Sequence, residues 1–435
     1  MLGPISMSTA VALFLIAAVI FAGELNAQHQ SGSAVATRAE QIEAEQRQKA
    51  TTLTSDTPPH KERLFLKTMN RIPDLLQVGP VHVQVGGLPG GAGLSAGPAL
   101  EWRSRSDDIR LGTSLIGSVH QYYMGRSGLL LPNLADRRLS IGVFGAYSYA
   151  PTLDYYGPGP DSLKANRTDY LEEDTSVDLR FRWSPPRTHV SWDANLGLLF
   201  VNVGPGTSSS IPSTETVFGP AQAPGIDIQS NFARAAYLID VNYLDSGIDY
   251  GNILFDYRNA PFDYRYVPLN PHKGIRAVAG WQQYFDIVHG DFSFGRLSAD
   301  AEGYIPFWNK KRVIALHAGT ELSYHRNDQV VPFYLQPTLG GPDDNRGFRR
   351  YRFYDDNVIR LNAEYRWEVT SGFNLAAFGD AGKVFNKPGQ ISLSNLESSV
   401  GFGLRFTTYK RLLARIDTGF SHEGVQVWLQ LRYPF

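Results

Sequence analysis

From about Gln77 to Phe435 the chain alternates apolar and polar residues with a period of two, and this pattern limits the fold more than any other feature. In Val177-Asp178-Leu179-Arg180-Phe181-Arg182-Trp183 every odd position is apolar and every even one charged. Successive side chains of an extended strand point to opposite faces, so such a run is a strand with one dry face and one polar face. The alternation recurs in Ile109 to Tyr123, Leu139 to Tyr149, Val190 to Phe200, Ile314 to Tyr324, Ile359 to Trp367, Val400 to Phe406 and Val425 to Phe435. A soluble sandwich would use strands of roughly five or six residues. These runs are longer, their polar faces carry paired charges and glycines, and aromatics sit near their ends. A barrel with lipid outside and water inside needs strands of about 9–11 residues, apolar outward and polar inward, with aromatic girdles. Lipid offers a sheet edge no hydrogen-bonding partner, so the sheet must close. The pattern therefore predicts an all-β fold, a transmembrane antiparallel β-barrel of about sixteen strands over residues 77–435.

Composition agrees. The 22 Tyr, 24 Phe and 42 Gly favour a large β protein, and a net charge of −1 gives no basic stripe for a nucleic-acid partner. With no cysteine, neither a disulfide framework nor a thiolate metal site is open to the chain. The histidines form no close pair; His317 and His325 share a strand face roughly 26 Å apart and read as solvated lumen groups. No metal or other cofactor is expected.

Thr9 to Gly23 is an apolar run too short to span a bilayer, followed by a small-residue cleavage site after Ala27, so residues 1–27 read as a signal peptide, although no Lys or Arg precedes Arg38. Residues 28–76 are polar, with a helix-favouring stretch from Ser33 to Ala50 and a breaker at Pro58-Pro59; they read as a short, partly helical periplasmic tether. Export and barrel together imply the outer membrane of a Gram-negative bacterium, with outer-membrane lipid and lipopolysaccharide as surroundings.

Connections alternate between short turns (Ser184 to Arg187, Val288 to Gly290, Asn309-Lys310) and long polar loops (Gly125 to Ala135, Pro151 to Arg167, Gly204 to Gln229). Short turns face the periplasm and long loops the exterior, and an even strand number leaves both chain ends in the periplasm. Leu339 to Arg352 then falls in a long external loop. It opens on Gly340-Gly341, a hinge, and carries Arg346, Arg349, Arg350 and Arg352 between the pairs Asp343/Asp344 and Asp355/Asp356.

Gly93-Leu94-Ser95-Ala96-Gly97 matches a nucleophile-elbow pattern, but that motif needs a strand-to-helix turn, and Ala99, Leu100 and Trp102 continue a strand. A hairpin is the reading there, and the chain is read as not an enzyme, with a barrel hydrolase kept as a minor alternative.

Arg346-Gly347-Phe348, preceded by Gly340-Gly341, resembles the signature of the BamA and two-partner-secretion superfamily, the bacterial surface antigen family. Glu364, in Leu361 to Trp367, resembles the family's acidic residue on the next strand. Asp380-Ala381-Gly382-Lys383-Val384-Phe385 resembles the Asp-x-Gly motif on the strand after it, and Tyr155 to Gly159 adds a fainter match. The resemblance implies that the loop folds back into the lumen and that Arg346 meets Glu364 and Asp380 on the wall. Strand parity puts Glu364 on the polar face with Arg360, Asn362 and Arg366, whereas Asp380 shares its face with Phe378. The final strand, ending in Tyr433 and Phe435, resembles the signal recognised by the barrel-assembly machinery. The family's insertases and translocators carry periplasmic polypeptide-transport-associated domains, and some relatives a patatin lipase domain; residues 28–76 leave room for neither. The expected role is to help insert or translocate polypeptides or lipid, with a separate periplasmic partner near residues 28–76; a passive pore is the alternative.

Overall fold

The computed structural model describes residues 77–245, 270–307, 311–370, 372–407 and 412–430. The signal peptide, the tether, the Asn309-Lys310 turn, Tyr433 and Phe435 lie outside the described residues.

Among the described residues sixteen long strands follow one another: β1 (Val81–Val85), β2 (Ser95–Arg103), β3 (Arg110–Ser118), β4 (Tyr123–Asn133), β5 (Leu139–Tyr155), β6 (Thr168–Trp183), β7 (Val190–Pro205) and β8 (Phe232–Asn242), then β9 (Gly274–Asp286), β10 (Phe294–Phe307), β11 (Arg312–His325), β12 (Asn357–Thr370), β13 (Phe373–Phe385), β14 (Glu397–Thr407), β15 (Leu412–Ser421) and β16 (Gly424–Gln430). Each pairs antiparallel with the next, in one meander from β1 to β16.

The faces are sorted in the opposite sense to a soluble protein. Val81, Val83, Leu115, Val177, Leu196, Tyr237, Leu316, Phe402 and Val427 are exposed, while Arg234, Asp240, Arg276, Glu364, Arg405 and Asp417 are buried. Such a surface is stable only where lipid meets the apolar side and the polar side turns inward. Aromatic pairs, Trp183 with Trp192 and Phe373 with Phe406, lie at the short-turn end, where an interfacial girdle belongs.

Two boundaries differ from the sequence reading. Gly125 to Ala135 is mostly strand β4, not a long loop, and the turn falls at residues 119–122, inside the run Ile109 to Tyr123. Gly125 and Gly128 imitate a turn, but Arg126 between them is buried and its Nη2 donates to the Gly87 carbonyl at 3.0 Å, which holds the segment extended. Strand β5 likewise runs on to Tyr155, past Pro151, where the register shifts between Ala150 and Leu153.

Connections at the other end are longer and pack together. Tyr155, Phe218, Phe333 and Tyr354, from four separate segments, meet edge to face with ring centroids 4.9–5.2 Å apart around Tyr155. They make an apolar cluster above the charged wall.

Candidate functional site

Within the connection from β11 to β12, a two-residue ladder pairs Thr338–Leu339 with Phe353–Tyr354 and frames the loop between them. Gly340 and Gly341 have φ of +115° and +116°, a region in which a side chain is strained. A Cβ on Gly340 would lie 2.4 Å from the Arg349 carbonyl oxygen, so the hinge is also too tight for any larger residue. The chain turns back on itself, with the amides of Gly341 and Phe348 both donating to the Asn345 carbonyl at 3.2 Å. Its tip is therefore compact enough to enter the lumen.

There Arg346, 1 % exposed, meets the wall. Its Nε and Nη2 donate to the two Asp380 oxygens, each at 2.8 Å, and Nη1 donates to Glu364 Oε2 at 2.5 Å. The backbone amide adds a bond to Asp380 at 3.0 Å. Phe378 shares the inward face of β13 for a physical reason: the guanidinium lies 3.4 Å from its ring centroid. Burial lowers the Arg346 pKa, but the attraction of Asp380, and of Glu364 after it, outweighs burial and raises it, so the side chain stays charged.

Glu364 accepts from three guanidiniums, those of Arg346, Arg366 at 2.9 Å and Arg405 at 2.9 Å. Arg405 also reaches Asp417, and Arg415 bonds Asp417 at 2.6 Å and Asp343 of the loop at 2.9 Å. Arg346, Arg366, Arg405 and Arg415 thus face Glu364, Asp380, Asp417 and Asp343, so the cluster is charge-balanced. Balance decides its stability, because a buried ion without a partner costs several kcal/mol.

The remaining motif residues make room for the loop. The Gly347 amide donates to Ser399 Oγ at 3.1 Å, and a Cβ there would lie 2.4 Å from the Ser399 Cβ. Gly382 stands where Leu339 passes; a Cβ would come 2.7 Å from the leucine side chain. Phe348 is fully buried against Phe353 and His422. The Arg346 carbonyl accepts from Trp428 Nε1 of β16 at 2.8 Å.

Sequence reading missed Arg405, Arg415 and Asp417, although strand parity puts Arg405 on the polar face of its run and Arg415 and Asp417 two residues apart. It also missed Arg352. This side chain lies between the rings of Tyr156 and Phe353, at 4.8 and 4.4 Å, and donates to Glu423 at 2.8 Å and to the Ser162 hydroxyl at 2.9 Å. Lys164 Nζ donates to the Glu423 carbonyl at 2.7 Å. The β15–β16 hairpin is thereby clasped to the connection after β5, on another part of the rim. His317 is not solvated as expected; it is held between Asp300 at 3.0 Å and Asn362 at 2.9 Å. Ser95 opens strand β2 opposite Ser118, and the chain continues as strand to Arg103, so the elbow pattern has no following helix.

Residues 242–423 match the Omp85 superfamily domain. Among solved structures, BamA from Haemophilus ducreyi lacking POTRA domains 1–3 is similar with a TM-score of 0.55 at 15% identity, over 81% of this chain and 69% of that one. CdiB from Escherichia coli is similar with a TM-score of 0.52 at 11% identity, over 81% of this chain and 62% of that one. No curated protein sequence matches the chain.

Proposed function

We propose that this chain, which matches the Omp85 superfamily domain over residues 242–423 and is similar in fold to BamA, assists the insertion or translocation of polypeptides, or of lipid, at the outer membrane of a Gram-negative bacterium. The observation that carries this reading is the loop seated in the lumen through Arg346, Asp380 and Glu364. A pore for passive diffusion is best served by a lumen left to water. Here an element of the chain occupies it on a charged, reversible contact, Arg346 acting as a lock that holds the loop to the wall. Residues 1–27 direct export and are removed, the tether over 28–76 receives a periplasmic partner, and Tyr433 and Phe435 present the last strand to the assembly machinery.

Reconstitution into lipid vesicles tests the role. Insertion of an unfolded outer-membrane barrel offered from outside should be faster with the protein than with empty vesicles, and slower with Arg346→Ala. No acceleration, together with steady single-channel conductance of one size, would favour the passive pore instead.

A further inference from the structure

Beside the loop, whose Pro342, Asp343 and Tyr351 form part of its border, the lumen holds a chamber of about 260 Å³, bordered also by Tyr170, Glu172, Tyr284, Tyr334 and Tyr354. That is room for about eight or nine waters, or for an alkyl chain with one polar end. Glu172 is the unusual member. The Tyr170 hydroxyl is its hydrogen-bonding neighbour, and among the described residues no Lys, Arg or His forms an ion pair with it. The chamber's arginines are engaged elsewhere: Arg360 and Arg296 lie 2.8 and 3.8 Å from Glu321, and Arg350 lies over the Trp428 ring at 5.4 Å. The next inward residue of β6 is another acid, Asp174, which has Arg234 and Arg126 near it. Asp178, Asp240 and Glu364, unlike Glu172, are each closed by a guanidinium, as Asp178 is by Arg234 at 3.0 Å.

We propose that this chamber is a binding site for a primary alkylammonium ion, with Glu172 as the counter-ion and the tyrosine rings as its walls. Ring faces attract an ammonium group and a carboxylate accepts its protons, a combination that supplies both charge and apolar contact. A hard metal ion fits less well. Divalent ions need six or more oxygen ligands, and among the described residues no group of three His, Cys, Asp or Glu is placed to hold one. The ammonium can come from a free amine or from a lysine of a polypeptide in the lumen. The site itself does not depend on the transport role.

Saturation-transfer NMR on the purified barrel in detergent, with 1,5-diaminopentane as probe, reads the site directly. The methylene signals should receive saturation from the unaltered protein, and Glu172→Gln should weaken the apparent affinity about tenfold or more, the worth of a charged hydrogen bond. Tyr170→Leu removes a wall without changing charge and should weaken it too, while Asp108→Asn on a turn should not. Heat-dependent gel mobility checks that each variant is folded. A lysine-containing peptide and its acetylated form then identify the source: displacement by the lysine peptide alone assigns a polypeptide side chain, and displacement by neither assigns free amines. No transfer to the unaltered protein, or equal transfer to it and to both site variants, overturns the proposal and leaves the chamber to water.

Discussion

The two walls of the lumen solve one electrostatic problem differently. On the wall from β6 to β10, charges are closed from strand to strand: Asp178 with Arg234 at 3.0 Å, Asp240 with Arg276 at 3.0 Å, and Arg276 with Glu302 at 3.3 Å. Asp178 reaches Arg234 across β7 because Gly197 stands between them in register, where a Cβ would lie 2.1 Å from the carboxylate. On the wall from β12 to β15 the strands supply Glu364, Asp380, Asp417 and three arginines, and the loop supplies the fourth. Remove the loop's guanidinium and Glu364 keeps Arg366 and Arg405, whereas Asp380 keeps only neutral donors, Asn362 at 2.9 Å and the backbone amide of position 346 at 3.0 Å. These pairs close the first wall from within its own strands, while the second is finished only when the loop docks.

The largest expected effect follows from that asymmetry. Arg346→Ala should destabilise the barrel by about 3–5 kcal/mol, the cost of an uncompensated buried charge, measured as a lower midpoint of urea unfolding. Adding Asp380→Asn should recover much of the loss and Glu364→Gln should not. Equal rescue by the two would break the comparison. For the same reason Asp380→Arg should compensate Arg346→Glu better than Glu364→Arg, which would set a guanidinium directly beside those of Arg366 and Arg405.

Arg352→Gln should cost less, about 2–3 kcal/mol for charged hydrogen bonds. Its signature is local, with faster trypsin cleavage after Lys164 once Glu423 is released from the clasp. Unchanged cleavage would mean the rim is held by the aromatic cluster alone. Asp178→Asn, on the first wall, should cost about 1–2 kcal/mol, since the amide keeps one bond to Arg234. Hydrogen exchange of residues 340–350 should not change in that variant; faster exchange would show that the walls are coupled.

The smallest effect is that of pH. Burial, with a small addition from Asp356, pushes the Asp355 carboxyl at the loop's far end up to about 6. A carboxyl raised on folding binds its proton more readily in the folded state, so the docked loop gains stability as pH falls through about 6 and gains no more below the ordinary value near 3.8. Higher protection of the loop amides, relative to their intrinsic exchange rates, at pH 5 than at pH 7.5, a difference abolished by Asp355→Asn, is the expected result.

Strand parity made the barrel legible, because a period of two survives whatever the connections do. It also put Glu364 inside. Parity reads one strand at a time, and there it reached its limit. Phe378 looked misplaced beside Asp380 because the reason for its inward face, the Arg346 guanidinium, comes from another segment. Arg405 and Arg415 matter through Glu364 and Asp343, tens of residues away along the chain. Glycines misled at Gly125 and Gly128, where a local turn preference yielded to a partner for Arg126 that only the folded chain supplies. The arginine-rich run from Arg346 to Arg352 has no period of its own to place it. Its meaning came from the wall it meets and from the rim residues Ser162 and Glu423.

Trp428 ties the far edge of the sheet to the loop. It sits on β16, and its indole proton goes to the backbone of Arg346, whose side chain is committed to β12 and β13. If the loop leaves the lumen, the indole loses this acceptor at the same moment that Asp380 loses its guanidinium. The cost of undocking is thus shared between β16 and the opposite strands of the charged wall, and the last described strand reports on the state of the loop.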